Sequence, residues 1–394
     1  MLASVVGMAG FASFAVALPT LVQEWRLDNV EAGWISGVYF AGYVAAVPAL
    51  VGLTDRLDSR KIYLAGCLFG AAGGLGFGLL AQGFWSALVF RVFSGAGLAG
   101  TYMPGLRVLS ERLPESVRLR AVPYYTSMFG VGTSVSFLFA AWIDSLFGWQ
   151  AMFLAGGVAA LAAAVLAVIA VWGVPVRAAP AVPSGRHPLD FRPVFSNRGA
   201  LGYVLAYGGH SFELFALRAW IVAFLLFAWS RGNPEPPGLA ISQWVMVCVL
   251  AGVPASIIGG ELARVIGRIA LIRWIALPAA IAGVACGLAT ALPYAVVAGL
   301  VLVYSFLIAA DSGTLTMGAV AEARPGEQGA TLAVHSMVGF CGGIFGPPLM
   351  GLALDLFGGL ASPAGWVVAM AVSAAGSLIA GLAVGLARPV RTGA

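Results

Sequence analysis

Residues 32–61 read AGWISGVYFAGYVAAVPALVGLTDRLDSRK, and residues 62–81 continue as IYLAGCLFGAAGGLGFGLLA. Each apolar run is long enough to cross a hydrocarbon layer, which takes ~20 helical residues. Between them, Asp55, Arg56, Asp58, Arg60 and Lys61 crowd into the short stretch 54–61. A segment hydrophobic all round that ends abruptly in charge is a membrane span followed by an aqueous loop.

The same pattern recurs along the chain. Of 394 residues, 60% are hydrophobic and 9% charged, with mean hydropathy +0.95. A soluble domain carries ~25% charged residues, so a water-soluble fold and a disordered chain are both excluded. Twelve apolar runs can be traced. They are Leu2–Val22, Ala32–Leu53, Ile62–Ala81, Trp85–Leu106, Ala121–Ile143 and Ala151–Val171, then Gly199–Trp229, Leu239–Gly260, Leu271–Ala289, Tyr294–Met317, Ala330–Leu354 and Gly365–Ala387. The expectation is an all-α integral membrane protein of twelve transmembrane helices. The seventh run is long enough to be tilted, broken or extended past the membrane.

The net charge of +5 comes from bases scattered between runs, not from one cluster, so nucleic acid is not an expected partner. Alternate loops hold 17 of the 21 basic residues. By the positive-inside rule this places both termini in the cytoplasm, in a multi-pass protein of the inner membrane. The first run has no preceding basic region and no small-residue cleavage site, so it is expected to remain in the mature chain. Cys67, Cys248, Cys286 and Cys341 all fall inside apolar runs without ligand spacing and read as small hydrophobes. No metal or cofactor is expected.

The chain also repeats itself. Ser127-Met128-Phe129-Gly130 returns as Ser336-Met337-Val338-Gly339, Glu111 and Pro114 as Glu322 and Pro325, and Asp144 with Phe147-Gly148 as Asp355 with Phe357-Gly358. Six spans per copy, related by a pseudo-two-fold axis, place a site at the interface of the halves near the midplane. The division expected is a bundle over 1–171, a cytoplasmic Pro-containing linker over 172–198 and a second bundle over 199–394.

The loop from Gly52 to Lys61 resembles the signature loop of the major facilitator superfamily, and Gly260-Glu261-Leu262-Ala263-Arg264-Val265-Ile266-Gly267-Arg268 is a degenerate copy. Arg91-Val92-Phe93-Ser94-Gly95-Ala96-Gly97 resembles that family's motif of span four, with Ser94 where Gln is usual. Asp58 and Ser59 stand where the family has one Gly, and Arg264 where an acid is usual. The Gly-Pro antiporter signature is absent from span five; a similar string, Gly346-Pro347-Pro348 with flanking glycines, lies in span eleven. That weakens assignment to the drug-export branch. The resemblance implies the major facilitator fold, with spans one, four, seven and ten lining a central cavity. It also implies a latch in the loop residues Asp55, Arg56, Arg60 and Lys61, with Arg264 and Arg268 in the second copy.

Ionisable groups inside a membrane cost at least ~2.5 kcal/mol each and mark functional positions. Span seven carries His210, Glu213 and Arg218; His210 and Glu213 share a face, whereas Arg218 need not point the same way. Glu213 is the candidate proton carrier, the alternative being a static pair with His210 or Arg218. Gly208-Gly209 is expected to loosen the helix. Asp311 and His335 are expected to approach each other as a second titratable pair, or else to cap a broken helix and bond a carbonyl. Arg91 either meets an anionic substrate or an acid on another helix, or snorkels to the membrane surface. Tyr39, Tyr43, Tyr102, Tyr124, Tyr125, Tyr207 and Tyr304 are candidate cavity aromatics. Gly66, Gly70, Gly74 and Gly78 form a helix-packing row.

Together these features describe a monomeric, non-enzymatic secondary active transporter, moving a small polar or anionic organic solute with protons by alternating access. A proton-driven drug or metabolite exporter and a non-transporting sensor on the same scaffold are the alternatives.

Overall fold

The computed structural model describes residues 1–53, 57–171, 173–175, 191–233 and 235–387. Asp55, Arg56 and most of the linker lie outside the described residues. The elements are α1 (Leu2–Gly7), α2 (Ser13–Glu24), α3 (Asn29–Leu53), α4 (Ser59–Leu80), α5 (Phe84–Ser110), α6 (Glu115–Val171), α7 (Arg192–Ser196), α8 (Arg198–Ser230), α9 (Ala240–Leu250), α10 (Gly252–Ile266), α11 (Arg268–Leu288), α12 (Tyr294–Ala309), α13 (Ser312–Glu322), α14 (Gln328–Leu356) and α15 (Pro363–Ala383). No strand occurs among the described residues, as expected where lipid can satisfy no backbone group.

Nine helical segments among the described residues have the length and apolar character to cross a membrane. They relate to the twelve apolar runs in a specific way. The first run is divided between α1 and α2 by turns at residues 8–12. The fourth forms α5, whose Arg91, Ser94 and Thr101 dilute its apolar character. The fifth and sixth merge in α6, which bends at Gly148 (φ 80°, ψ 172°). Gly358, the counterpart of Gly148 in the sequence repeat, also has positive φ (97°). The two copies thus turn with the same residue type, the one without a Cβ penalty in that region.

Helix starts follow from local chemistry. Asp28 and Glu31 form a reciprocal capping box at the head of α3: Glu31 N donates to Asp28 Oδ1 at 2.7 Å and Asp28 N to Glu31 Oε2 at 3.1 Å. Asp58 caps α4 and Ser362 caps α15, where Pro363 takes the first helical position.

Contacts divide the chain into two compact units, one of Met1–Pro183 with Arg218–Leu250, the other of Ser184–Leu217 with Ala251–Ala394. In the first, α3 and α4 lie against α5, and α4 against α6. The glycine row of α4 makes this possible: a Cβ on Gly66 would stand 2.6 Å from the Gly100 carbonyl carbon, and one on Gly74 2.7 Å from Gly157 N. Close backbone approach replaces the hydrophobic effect as the source of association inside lipid. In the second unit α11 lies against α15 and α14 against α15. Helix α8 runs unbroken past Gly208-Gly209, contrary to the loosening expected there. Gly209 instead serves contact, since its Cβ would fall 2.7 Å from the Gly376 carbonyl oxygen.

Candidate functional site

Arg91 projects from α5 into the first unit and is only 6% exposed, so it does not snorkel. Its Nε donates to the Ile35 carbonyl at 3.2 Å, and its guanidinium carbon lies 4.5 Å from the centre of the Tyr39 ring and 5.7 Å from that of Phe14. Cation–π contact on a desolvated ring is worth up to ~2 kcal/mol, well short of replacing a carboxylate. Among the described residues no acid pairs with Arg91. The guanidinium borders a cavity of about 60 Å³ shared with Tyr39, Phe11, Ser94 and Thr101. That space takes a few waters but not an organic acid.

In the second unit, Glu213 is 1% exposed. Tyr304 Oη on α12 donates to Oε1 at 2.8 Å, Ser377 on α15 donates to Oε2, and Ser373 Oγ donates to the Glu213 carbonyl at 3.3 Å. The carboxylate therefore ties α8 to α12 and α15. Among the described residues its side-chain partners are hydroxyls, and it does not pair with His210, contrary to the alternative read from their spacing. Tyr304 is fully buried and spends its hydroxyl on Glu213.

His210 turns to Asp311 instead, with Nδ1 and Oδ1 2.8 Å apart. Asp311 occupies the cap position of α13 yet makes no capping bond. Its Oδ1 is close enough to His210 for an ion pair but lacks an aligned hydrogen bond. The expected Asp311–His335 pair is thus replaced by Asp311–His210, because the chain breaks between α12 and α13 and turns the carboxylate toward α8. His335, 2% exposed, stacks on Tyr207 with ring centres 4.0 Å apart, and its Nε2 lies 3.2 Å from Thr316 Oγ1. Tyr207 is also nearly parallel to His210, 5.5 Å away.

The remaining expected residues scatter. Arg218 is half-buried on α8 and belongs to the first unit by contacts. Tyr43 is fully buried and Tyr124 is 65% exposed. Tyr102 leans on Phe129 at 5.1 Å and stacks on Tyr125 at 6.4 Å. Lys61 and Arg268 are exposed, and Arg264 meets Glu261 at 3.3 Å on the surface, where an ion pair is worth little.

Arg60 does enter a charge network, centred on Asp58. Arg60 Nε and Nη2 donate to Asp58 Oδ2 at 2.8 and 2.5 Å, and Arg112 Nη2 reaches Oδ1 at 3.2 Å. Ser59 Oγ donates to Glu111 Oε2 at 2.6 Å and Arg107 Nε to Oε1 at 2.7 Å, joining the polar ends of α4 and α5. The hydrogen bonds from Arg60 hold the Asp58 carboxyl at about 2, below its ordinary 3.8. Asp58 therefore contributes stability that is complete well above pH 3.8 and fades as pH falls through about 2. In Asp58→Asn, which keeps the capping oxygen, the thermal-stability deficit of detergent-solubilised protein should be constant above about pH 5 and vanish toward pH 2. A deficit independent of pH would show that capping geometry, not charge, is what Asp58 supplies.

The sequence profile of the Major Facilitator Superfamily matches residues 1–320. The chain belongs to this superfamily. Among curated superfamily relatives, the niacin transporter NiaP of Acinetobacter baylyi is 30% identical over 147 residues, 37% of this chain and 33% of that protein. The benzoate transport protein of the same organism is 28% identical over 152 residues, 37% of this chain and 32% of that protein. The chain thus matches about a third of the length of these relatives. A crystal structure of a bacterial homolog of the human lysosomal transporter spinster, in an inward-facing and unoccupied conformation, superposes with TM-score 0.79 at 16% identity, covering 98% of this chain and 94% of the other. That likeness establishes the major facilitator fold.

Within this superfamily member, Asp58, Glu111, Arg112, Ser373, Ser377 and Thr316 were not singled out from sequence as site residues. Asp58-Ser59 ahead of an apolar run is a helix-start signature, and Glu111 belongs to the repeat, so both carried a signal. Isolated serines and threonines in apolar helices carry none, because such hydroxyls ordinarily bond their own helix backbone.

Proposed function

We propose that the chain is a secondary active transporter that moves a small aromatic monocarboxylate across the inner membrane together with protons. Its twelve spans form two six-helix bundles, 1–171 and 199–394, that alternate access to a common site, with both termini cytoplasmic and a monomer as the working unit. The observation that carries the reading is Arg91: a buried guanidinium with no acidic partner among the described residues, laid over Tyr39 beside a small polar and aromatic cavity. Arginine's planar fork matches a carboxylate and the ring wall matches an aromatic body. The curated relatives named for niacin and benzoate, both aromatic monocarboxylates, support the same class. The cavity must widen to admit such a solute, a change that alternating access supplies. Pairing between the ends of α4 and α5 around Asp58 serves as a latch for one conformation.

Purified protein in proteoliposomes should exchange labelled benzoate or nicotinate in counterflow and accumulate it when a pH gradient is imposed. Absence of counterflow for every aromatic acid tried would remove the reading.

Proton coupling is assigned to the buried ionisable groups of the second unit. Glu213→Gln keeps the shape and one acceptor for the Tyr304 and Ser377 hydroxyls, so folding should lose only about 1 kcal/mol. Accumulation driven by a pH gradient should be abolished while counterflow survives. Gradient-driven uptake equal to that of the parent would leave Glu213 as a static tie between α8, α12 and α15.

A further inference from the structure

Among the described residues of the second unit, four buried side-chain polar atoms lack a hydrogen-bond partner: the hydroxyls of Ser305 and Thr314 and, on ionisable groups, His335 Nδ1 and Asp311 Oδ1. At 2% and 7% exposure, His335 and Asp311 offer no open surface to an organic solute. Leaving such groups unsatisfied costs ~1–3 kcal/mol each, so an arrangement that keeps both calls for a cause.

Thr316 explains which nitrogen of His335 is open. Its Oγ1 lies 3.3 Å from the Ser312 carbonyl, which can only accept, so the single hydroxyl proton is directed there. The oxygen then accepts from His335 Nε2–H, 3.2 Å away; the opposite arrangement would bury an Nδ1–H donor without a partner. Nδ1 is consequently a bare lone pair. Serine or threonine in a helix ordinarily returns its hydroxyl to its own backbone; here that habit sets the tautomer of a neighbour.

We infer that Thr316 is a positioning residue that holds His335 in the Nε2–H tautomer, so that its Nδ1 lone pair is the seat of a transferable proton in this transporter. A proton is the one ligand that needs no cavity. Binding it converts a neutral imidazole to an imidazolium with both nitrogens as donors, and no other bond changes. The role in transport rests on the proton-coupled reading above; the tautomer does not. Among the described residues, Tyr207 of α8 stacks on His335, His210 lies nearly parallel to that tyrosine ring and meets Asp311 at the head of α13, and Glu322 closes α13 at its other end. Helix α7 packs Val194 into the same cluster as Val334 and carries Arg192 at its start, and α15 carries no ionisable side chain. On α14 itself Cys341 and Asp355 lie further along the helix.

The chain has three histidines, so ring ¹⁵N spectra of histidine-labelled protein in liposomes resolve His335 directly, with His335→Gln giving the assignment. At pH 8 the parent and Thr316→Ser should show His335 protonated at Nε2 only. Thr316→Val should shift the tautomer ratio by about tenfold, the equivalent of one hydrogen bond of roughly 1.4 kcal/mol. An Nδ1–H tautomer in the parent, or identical spectra for the valine and serine variants, would overturn the assignment. In transport, His335→Gln should lose pH-gradient-driven accumulation of benzoate and keep counterflow; accumulation with the parent's pH profile would overturn the proton seat. Should the parent show no counterflow, the transporter reading fails by itself, and the spectra still decide the role of Thr316.

Discussion

Arg91→Gln is expected to lower benzoate or nicotinate counterflow on the order of 100-fold, the equivalent of about 3 kcal/mol for losing one side of a desolvated charge pair. The argument is electrostatic. A guanidinium at 6% exposure, held by one carbonyl and an aromatic face, has given up most of its hydration without gaining an opposite charge among the described residues. An anionic solute would complete the pair at the moment of binding. Two comparisons make the prediction specific. Arg91→Lys keeps the charge but not the planar fork, and should fall between parent and Gln, about tenfold below the parent. Folded stability should move the other way: removing a buried charge that no acid among the described residues neutralises relieves a desolvation cost, so Arg91→Gln should melt no lower than the parent. The thermal stabilisation that added aromatic acid confers on the parent should disappear. Lost transport together with lowered melting would instead mark Arg91 as a structural anchor for α3 and α5.

Gly95→Ala is expected to be the most disruptive single-methyl change near this site. A Cβ there would stand 1.8 Å from the Tyr39 carbonyl oxygen and 2.8 Å from its carbon. Overpacking in a core typically costs ~1–3 kcal/mol, and more where nothing can yield. Here the obstacle is the backbone of α3, which has no alternative rotamer, so α3 and α5 must separate and Tyr39 must leave Arg91. The expected outcome is little monodisperse protein in detergent and a strongly lowered melting temperature. Gly299→Ala is the control, since a Cβ on that helical glycine meets nothing within 4 Å. It should be neutral or stabilising by up to ~1 kcal/mol through helix propensity. Equal stability of the two variants would show that α3 and α5 can separate at Gly95 without cost.

Much of the architecture was legible in the sequence because lipid leaves few options. Apolar runs of spanning length must be helical, and their number, order and repeat can be read along the chain. Gly148 and Gly358, about half the chain apart, stand out as a repeat in the sequence and share a positive φ in the fold. Arg91, Glu213, Asp311 and His335 were visible for a related reason: an ionisable group is costly in oil wherever it points. Their partners were not visible. Spacing on α8 put His210 and Glu213 on one face, but a face is wide enough for the two side chains to choose different neighbours. His210 turned to Asp311 and Glu213 to Tyr304 and Ser377.

From composition, periodicity and repeat alone, then, came the membrane environment, the helical class, the recurring motifs and the short roll of buried ionisable groups. These depend on the chain's transfer from water to lipid, which each segment undergoes by its own composition. The tertiary structure decided which of those groups meet, that Arg91 is left without an acid among the described residues, and which partners Asp58 and Thr316 touch. Those outcomes depend on where α12 breaks, how closely glycine-lined helices approach and which hydroxyl a neighbouring helix presents, and such distances are properties of packed pairs of helices that no single segment encodes.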